Sequence, residues 1–355
     1  MSGVHCDVLV VGLGPGGGAA AAAAAEQGAR VIAIDKKRRV GEPVQCAGFI
    51  PLPLGGYARG EGVLQQRVSG MRSLLPSGAV QESPFPGLMI ERAAFDQALA
   101  ARAEEAGAAL RLATTLLSVD FRRRIAQVVD GDRRREIRYR VLLAADGPLS
   151  KVARLLGLPP QRVAHSRQYT VPLSRGLTDT QVWLSPAYPG GYAWLFPRGQ
   201  SANLGLGIDE EFGRNLKAPL DALHRTLVAA GVVRAEILHR TGGAIPLGGL
   251  RKSLVAGDVL FVGDAAGLTH PVTGAGIGAA VLSGEEAGRV AARHAAGEPL
   301  ALAGYDEAMR DLFGPTLERA LRVRESLRRV WATPAAALDE NQRRGWIAFD
   351  EYLAF

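Results

Sequence analysis

Cysteine is nearly absent from this sequence, which has only Cys6 and Cys46. Two thiols exclude a disulfide framework and a zinc or iron–sulfur ligand set, so no metal site is predicted. No run reaches the ~20 apolar residues of a membrane-spanning helix. The N-terminus lacks the basic, apolar and small-residue order of a signal peptide. We therefore expect a cytoplasmic protein.

Acidic residues are fewer than basic residues. The 355 residues include 35 Asp and Glu and 42 Lys and Arg, which gives a formal charge of +7. A basic balance suits nucleic acid, an anionic membrane surface or an anionic substrate. No nucleic-acid motif is present, so we expect no nucleic-acid partner. The membrane and substrate interpretations stay open, as does a simple codon preference for arginine.

The stretch from Asp7 to Lys36 reads DVLVVGLGPGGGAAAAAAAEQGARVIAIDK. It predicts a buried strand, a glycine turn, a small-residue helix and a second parallel strand. Gly12 permits the turn, Gly14 lets the backbone approach a pyrophosphate, and Gly17 lets the helix lie close to the strand. Asp35 falls where a carboxylate binds ribose hydroxyls. The predicted nucleotide-binding residues here are Gly12, Gly14, Pro15, Gly16, Gly17, Asp35 and Lys36.

Two later turns also follow buried apolar strands. Asp146-Gly147 follows RVLLAA, and Gly263-Asp264 follows VLFV. The second turn leads through a loop into Gly274-Ala275-Gly276 and a long helix of small residues. A nicotinamide-binding unit needs only the first glycine turn, so three turns favour a larger cofactor stretched across the sheet.

Several segments allow two interpretations. Cys46 is either a buried small residue or part of a loop beside a cofactor ring. Arg92 opens a predicted helix and either reaches a nucleotide or pairs with a nearby acid. The aromatic strand from Tyr192 to Phe196 either lines an apolar pocket or belongs to the core. A helix over 210–232 and a strand over 235–240 are predicted next.

The three turns together resemble the FAD-binding family of para-hydroxybenzoate-hydroxylase type. The resemblance implies that Asp146-Gly147 lies near the pyrophosphate, that Asp264 holds the ribityl chain, and that Arg92 contacts the FAD phosphates. It also implies that residues 274–277 face the carbonyl edge of the flavin. A helix N-terminus there would stabilise negative charge on the reduced ring.

A narrower resemblance covers most of the chain. The segments PVQCAGFIP, GGYAWLFPRGQSANLGLGI, GGAIPLGG and GDAAGLTHPVTGAGIGAAVLSG resemble the geranylgeranyl reductase family, flavoproteins that hydrogenate C=C bonds of isoprenoid chains. This resemblance implies a catalytic role for Cys46, which stands over the flavin. We also predict Tyr192 and Trp194 as catalytic residues, because their aromatic strand suits a prenyl chain by dispersion and shape. The further cofactor-binding residues it implies are Cys46, Ala47, Arg92, Asp146, Gly147, Gly263, Asp264, Pro271, Gly274, Gly276 and Ile277.

The implied fold class is α/β. A Rossmann-like FAD-binding domain, a parallel sheet with an antiparallel meander, interlocks with an α+β substrate domain and a C-terminal helical segment. We expect the FAD-binding domain to comprise residues 1–62, 88–160 and 250–300. The substrate domain then comprises 63–87 and 161–249, and the helical region 301–355.

The implied reaction is hydride transfer from reduced FAD to the double bond of an apolar prenyl lipid. We expect Cys46, or a water beside it, to supply the proton, with His270 a weaker candidate. NAD(P)H and ferredoxin are the candidate reductants. The alternative is an FAD-dependent monooxygenase that uses NAD(P)H and oxygen. The arginine-rich helix over 300–329 and the aromatic tail over 331–355 either touch the inner face of a membrane or pack on the protein with their arginines in water.

Overall fold

Three sheets and the helices around them form the part of the chain described here, residues 4–298 and 300–355 of a computed structural model. The strands are β1 (Val4–His5), β2 (Val8–Val11), β3 (Val31–Ile34), β4 (Phe49–Pro51), β5 (Leu64–Leu74), β6 (Val80–Ile90), β7 (Ala109–Arg111), β8 (Thr114–Asp120), β9 (Ile125–Asp130), β10 (Arg133–Arg138), β11 (Val141–Ala144), β12 (Val163–Pro172), β13 (Thr180–Trp183), β14 (Ala193–Arg198), β15 (Ser201–Asp209), β16 (His239–Pro246), β17 (Val255–Ala256) and β18 (Val259–Phe261). The helices are α1 (Pro15–Glu26), α2 (Arg92–Glu105), α3 (Lys151–Leu155), α4 (Lys217–Ala229), α5 (Ile277–Ala295), α6 (Ala303–Trp331), α7 (Asp339–Arg344) and α8 (Asp350–Leu353).

The first sheet has the order β17-β18-β11-β2-β3-β7, and β18, β11, β2, β3 and β7 run parallel. Its central strands are wholly buried and uniformly apolar, as expected when both faces are covered. Helices α1 and α5 pack with their backbones in contact. A Cβ on Gly284 would lie 2.2 Å from the carbonyl oxygen of Gly16, so glycine is needed for this close approach. The predicted strand, turn, helix and strand are confirmed. The carboxyl ends of β2, β11 and β18 meet at one edge of this sheet.

A second, smaller sheet is the predicted meander. Its order is β1-β10-β9-β8, with β8, β9 and β10 antiparallel.

The third sheet has eight strands in the order β16-β12-β15-β14-β13-β5-β6-β4. Helix α4 covers one face over a core that includes Tyr169 and Leu204. The strand β4 lies inside residues 1–62 of the predicted FAD-binding part, yet it pairs antiparallel with β6 in this sheet. The strand predicted over 235–240 is wrong: β16 runs from His239 to Pro246 and pairs with β12.

The C-terminal residues fold back onto this third sheet. Trp346, Phe349 and Tyr352 are each 3% exposed and pack in one cluster with Met71 and Val182. These three tail aromatics therefore lie in the interior, and Trp331 and Phe355 pack against them partly buried. Among the described helices, none combines the length and apolar character required to cross a bilayer.

Candidate active site

A cavity of about 350 Å³ lies between the carboxyl edge of the parallel sheet and the eight-stranded sheet. One end is glycine-rich, the middle is polar, and the far end is aromatic. Its lining is Gly14, Pro15, Gly16, Gln45, Cys46, Ala47, Gly48, Phe49, Met71, Phe85, Arg92, Ala145, Gly147, Ser166, Gln168, Thr180, Val182, Tyr192, Trp194, Phe196, Thr241, Gly242, Ala244, Ile245, Val262, Gly263, Asp264, Thr269, Thr273, Gly274, Ala275, Gly276, Ile277, Ala280, Trp346 and Ile347.

The glycine end is built by the turn between β2 and α1. A Cβ on Gly17 would lie 1.8 Å from the carbonyl oxygen of Gly12, so only glycine lets the helix begin this close to the strand. A Cβ on Gly14 would meet no protein atom within 4 Å. Gly14 therefore borders open cavity, as a residue that meets a bound phosphate must.

Asp35 stands at the end of β3 beside this turn. Its carboxylate accepts hydrogen bonds from the amides of Leu13 and Lys37, each at 2.8 Å. These bonds fix both oxygens, and each keeps a lone pair for a ligand hydroxyl. The neighbouring Lys36 is exposed and does not line the cavity.

Asp264 lies in the polar middle of the cavity, after β18. Its Oδ1 accepts a hydrogen bond from the Thr269 hydroxyl at 2.5 Å. Burial raises the pKa of the Asp264 carboxyl, and the Thr269 hydrogen bond only partly offsets this. A Cβ on Gly276 would lie 2.8 Å from Thr269 Oγ1 and 3.2 Å from Asp264 Oδ1, so this glycine allows α5 to start beside the carboxyl group.

Asp146 follows β11 and caps the helix α3. Its Oδ2 accepts from the amides of Lys151 at 2.7 Å and Val152 at 3.0 Å. Its Oδ1 is buried and has no hydrogen-bond partner among the described residues. Burial raises the pKa of this carboxyl. The next residue, Gly147, lines the cavity. A buried acceptor without a partner beside a cavity fits a site completed by a ligand.

Arg92 reaches the cavity from the start of α2, but its guanidinium already has a partner. It donates to both oxygens of the buried Asp96 carboxylate at 3.0–3.2 Å. Burial opposes the charge of Arg92, yet Asp96 and then Cys46 hold its pKa above the ordinary arginine value. Arg92 therefore pairs with a nearby acid and also lines the cavity, while its contact with the FAD phosphates stays a prediction.

Cys46 lies in the segment Val44–Gly48, which we call the cysteine loop. Its Sγ accepts a hydrogen bond from the Gly48 amide at 3.3 Å, and its side chain is partly exposed to the cavity. Three side chains of the third sheet hold the loop through its carbonyl groups. They are Thr241, Gln168 and Asn203, which donate to the carbonyl oxygens of Val44, Cys46 and Ala47 at 2.7, 3.1 and 3.0 Å.

The polar atoms of the aromatic end are hydrogen-bonded to protein acceptors. The Tyr192 hydroxyl donates to the Thr273 carbonyl at 2.5 Å, and Trp194 Nε1 donates to Gln168 Oε1 at 3.1 Å. Trp346 Nε1 donates to Ser73 Oγ at 3.0 Å, and its ring lies 4.7 Å from that of Tyr192. Burial raises the pKa of Tyr192. The wall therefore presents hydrocarbon to the cavity.

His270 holds the loop that precedes α5. Its Nδ1 accepts from the amides of Val272 at 3.3 Å and Thr273 at 3.2 Å, and its Nε2 contacts the Tyr352 hydroxyl at 3.3 Å. Burial lowers the pKa of His270 to about 4, so the ring is neutral at pH 7. Its structural role is that of a loop hydrogen-bonding residue.

The neutral His270 should make the fold sensitive to acid. Below its ordinary pKa of 6.5 the unfolded chain binds a proton that the folded ring, with its pKa of about 4, does not bind. Stability is therefore lost as pH falls from about 6.5 to 4, by about 3 kcal/mol in full. His270→Asn keeps an acceptor for both amides and should remove this part of the pH dependence in urea unfolding. Tyr352→Phe should retain it, and an unchanged slope in H270N would contradict the assignment.

The cavity brings together most of the predicted site residues. Those that line it are Gly14, Pro15, Gly16, Cys46, Ala47, Arg92, Gly147, Tyr192, Trp194, Gly263, Asp264, Gly274, Gly276 and Ile277. Gly12, Gly17, Asp35, Asp146 and Pro271 are not among the lining residues, and the Pro271 carbonyl instead accepts from Arg324 at 3.1 Å. Sequence reasoning missed Gln168, Thr241 and Trp346. Asn203 belongs to the quoted run SANLGLGI, but its role was not foreseen.

These observations fit an elongated flavin dinucleotide. The open space at Gly14, the Asp35 carboxylate, the unpartnered Asp146 Oδ1 and the buried Asp264 follow one path along the sheet edge. The start of α5 at Ile277 closes its polar end. This fold and site define an FAD-dependent oxidoreductase.

Comparison with known proteins leads to the same class and narrows it. Residues 7–147 match the family of FAD dependent oxidoreductases, and residues 172–245 match the geranylgeranyl reductase catalytic domain. A digeranylgeranylglycerophospholipid reductase of Methanocella arvoryzae is 32% identical over 351 residues, covering 91% of this chain and 88% of that relative. The chain belongs to the geranylgeranyl reductase family and is an FAD-dependent reductase of that type.

Solved structures agree with this assignment. A geranylgeranyl bacteriochlorophyll reductase-like protein from Thermoplasma acidophilum superimposes with a TM-score of 0.85 at 25% identity, covering 99% of this chain and 98% of that one. A probable FAD-dependent monooxygenase of Pseudomonas aeruginosa, PqsL, superimposes at 0.70 with 21% identity, covering 91% and 97%, and shares the fold alone. The monooxygenase alternative is not favoured.

Proposed function

We propose that this protein reduces the C=C bonds of isoprenoid chains on a prenyl lipid, in the manner that the name digeranylgeranylglycerophospholipid reductase describes for its relatives. The observation that carries the proposal is the continuity of the cavity. It runs from the dinucleotide end at Gly14 past Cys46 to an aromatic compartment at Trp346. A flavin and an alkene chain can therefore meet beside the cysteine.

The aromatic compartment suits a substrate with no polar groups. The hydroxyl and indole N–H groups of its wall are bonded to protein acceptors, so the rings face the cavity as apolar surface. Binding then rests on burial of apolar area, worth about 25 cal/mol per Å². An isolated alkene offers no carbonyl to polarise, so the wall must act by orienting the chain and excluding water.

When bound, reduced FAD supplies the hydride, and the protein must supply a proton to the neighbouring carbon. Two alternative donors are occupied: Tyr192 donates to Thr273, and the neutral His270 bonds within its loop. The Cys46 thiol lines the cavity, its sulfur accepts from Gly48, and among the described residues it donates to no protein acceptor. We assign the proton to Cys46, or to a water bound to its thiol.

Substitution of Cys46 should separate flavin binding from reduction. We expect Cys46→Ala and Cys46→Ser to bind FAD normally, since the side chain packs no core, and to lower the rate of reoxidation about a hundredfold by loss of a general acid. The measurement is anaerobic stopped-flow reoxidation of the reduced protein by a geranylgeranyl lipid, with mass spectrometry of the product. Cys6→Ser is the matched control. Wild-type rates in both Cys46 variants would remove the acid role.

Anaerobic reduction of the bound flavin can identify the reductant, which we propose to be NAD(P)H or a reduced ferredoxin. Both are anionic and suit a chain of formal charge +7. Anaerobic bleaching of the flavin absorbance by one and not the other decides between them. A protein that is reduced by either donor but saturates no prenyl substrate would refute the proposed function.

A lipid substrate implies contact with a membrane surface, and we propose that the exposed arginines of α6 make it. Arg322 and Arg329 are exposed on this helix. Attraction to anionic headgroups by such residues is screened by salt. Co-sedimentation with anionic vesicles at low salt, lost at high salt and absent with neutral vesicles, is the expected result. No binding to anionic vesicles at low salt would exclude this contact.

A further inference from the structure

We propose that Gln168, Asn203 and Thr241 are positioning residues for Cys46. They hold the cysteine loop so that its carbonyl groups face the eight-stranded sheet while its amides and thiol face the cavity. The consequence for the reaction rests on the proposed role of Cys46 as proton donor. The placement itself rests on the hydrogen bonds of the loop.

The three side chains come from adjacent strands. Thr241 on β16 and Gln168 on β12 are direct cross-strand partners, so they stand side by side on one face of the sheet. Asn203 on β15 lies opposite Thr170, whose hydroxyl donates to Asn203 Oδ1 at 3.2 Å and turns the amide nitrogen toward the loop. Gln168 and Asn203 are 4% and 3% exposed, so their bonds are shielded from water.

The direction of the loop carbonyls sets the direction of its amides. In a planar trans peptide the C=O and the following N–H point in opposite directions. The carbonyls of Val44, Cys46 and Ala47 point to the sheet, so the amides of the residues that follow them point away from it. The bond from the Gly48 amide to Cys46 Sγ agrees with this, because it places the sulfur on the side of the loop away from Asn203.

The hydrogen bonds of the loop are one-sided. The carbonyls of Val44, Cys46 and Ala47 all have protein donors. The amides of Gln45 and Ala47 have no acceptor within the described ranges 4–298 and 300–355. Both residues line the cavity, so these two amides are placed to donate to acceptor atoms of a ligand there. The three side chains thus fix both a donor strip and the thiol.

Gln168 also joins the loop to the substrate wall. Its Nε2 donates to the Cys46 carbonyl, while its Oε1 accepts from Trp194 Nε1. One amide group therefore holds the reacting residue and an aromatic ring of the compartment at a fixed separation. Loss of Gln168 should disturb the loop more than loss of the Thr241 hydroxyl, because it leaves two buried groups unpaired.

Because the chain has only two cysteines, the accessibility of Cys46 in the cysteine loop can be measured by alkylation without substrate. Cys6 is buried and burial raises its pKa to about 12, so iodoacetamide at neutral pH reports on Cys46. In flavin-free protein, Thr241→Val removes the hydroxyl at constant shape and should raise the alkylation rate about fivefold, the ratio equivalent to one hydrogen bond of about 1 kcal/mol. Gln168→Met should raise it further. Thr241→Ser keeps the hydroxyl and should react at the wild-type rate.

Tyr169→Phe is the matched control. Tyr169 is the next residue on β12, faces the opposite side of the sheet and donates to Asp221 Oδ1 at 2.7 Å. Its loss removes one hydrogen bond and should lower stability like T241V, without changing the alkylation rate. A shift in the reduction potential of bound flavin in T241V and Q168M, absent in Y169F, is the second expected readout.

Wild-type alkylation rates and potentials in both T241V and Q168M would overturn the positioning role. An equal increase in Y169F would also overturn it, since the effect would then be general loosening. The alkylation readout needs neither prenyl lipid nor reductant. Faster alkylation in a protein that reduces no lipid would therefore refute the proposed function and leave this assignment intact.

Discussion

Gly17→Ala should purify as a colourless protein whose FAD affinity is at least about a hundredfold weaker than wild type. The new Cβ would lie 1.8 Å from the Gly12 carbonyl oxygen and 2.9 Å from the carbonyl carbon, both backbone atoms that cannot rotate away. The start of α1 must then leave β2. Because the dinucleotide is held by amides that converge at this turn, a displacement of about an ångström breaks several bonds at once.

Gly14→Ala separates an effect on FAD binding from an effect on the packing of the fold. A Cβ at Gly14 meets no protein atom within 4 Å, and the backbone there is extended, so G14A should unfold like wild type. It should nevertheless lose FAD, because the open space is the one assigned to the pyrophosphate. Gly304→Ala on α6 is the neutral control. The measurements are flavin absorbance after purification, FAD titration and thermal unfolding. A yellow G17A protein of normal affinity would contradict the glycine assignment.

Arg324→Met should be the most destabilising single change outside the glycine turn, at about 3–5 kcal/mol. Arg324 is 4% exposed and donates to Asp209 Oδ2 at 2.6 Å, and Asp209 is wholly buried. The Arg324 Nη1 donates to the carbonyls of Gly190 at 2.8 Å and Pro271 at 3.1 Å. Burial lowers the pKa of Arg324, and the neighbouring Asp209 carboxylate opposes this shift. Removal leaves the buried carboxylate with two donors among the described residues, the partly exposed Arg162 and the amide of Glu211.

Urea unfolding measures this loss as a lower midpoint at constant slope. Arg324→Lys should recover part of it, since an ammonium group keeps the charge but cannot reach three acceptors. Arg328→Met, one turn along α6, removes an exposed pair with Glu211 and should change little. Restoring part of the stability by combining R324M with Asp209→Asn would confirm that the unpaired carboxylate is the cause. Equal midpoints for R324M and R328M would contradict it.

The sequence predicts those parts of this protein that depend on residues close together in the chain. The turn at Gly12 and the polar end at Asp264 each follow a buried apolar strand within a few residues, and the start of α5 at Ile277 directly follows the run Gly274-Ala275-Gly276. Parallel strands then bring these ends to one edge without further information. The aromatic strand around Trp194 was recognisable because its motif is contiguous.

The rest depends on register between distant strands. Gln168 and Thr241 face the cysteine loop only because β12 and β16 pair with these two residues opposite each other. The glycines after Thr241 lie inside β16, where a Cβ on Gly242 would be 2.3 Å from the Ser166 carbonyl oxygen. Membrane contact and packing on the protein both stayed open for the tail that contains Trp346, because nothing local indicates that it folds back onto Ser73.

The position of two tryptophans in the aromatic wall has a consequence for the fluorescence of the protein. Of the four tryptophans in the chain, Trp194 and Trp346 border the cavity. Both indoles lie where a yellow chromophore would accept their excitation energy and where an incoming hydrocarbon would displace water from their rings. Ultraviolet emission thereby becomes a label-free gauge of occupancy, with dimming on flavin uptake and a blue shift on loading of the lipid.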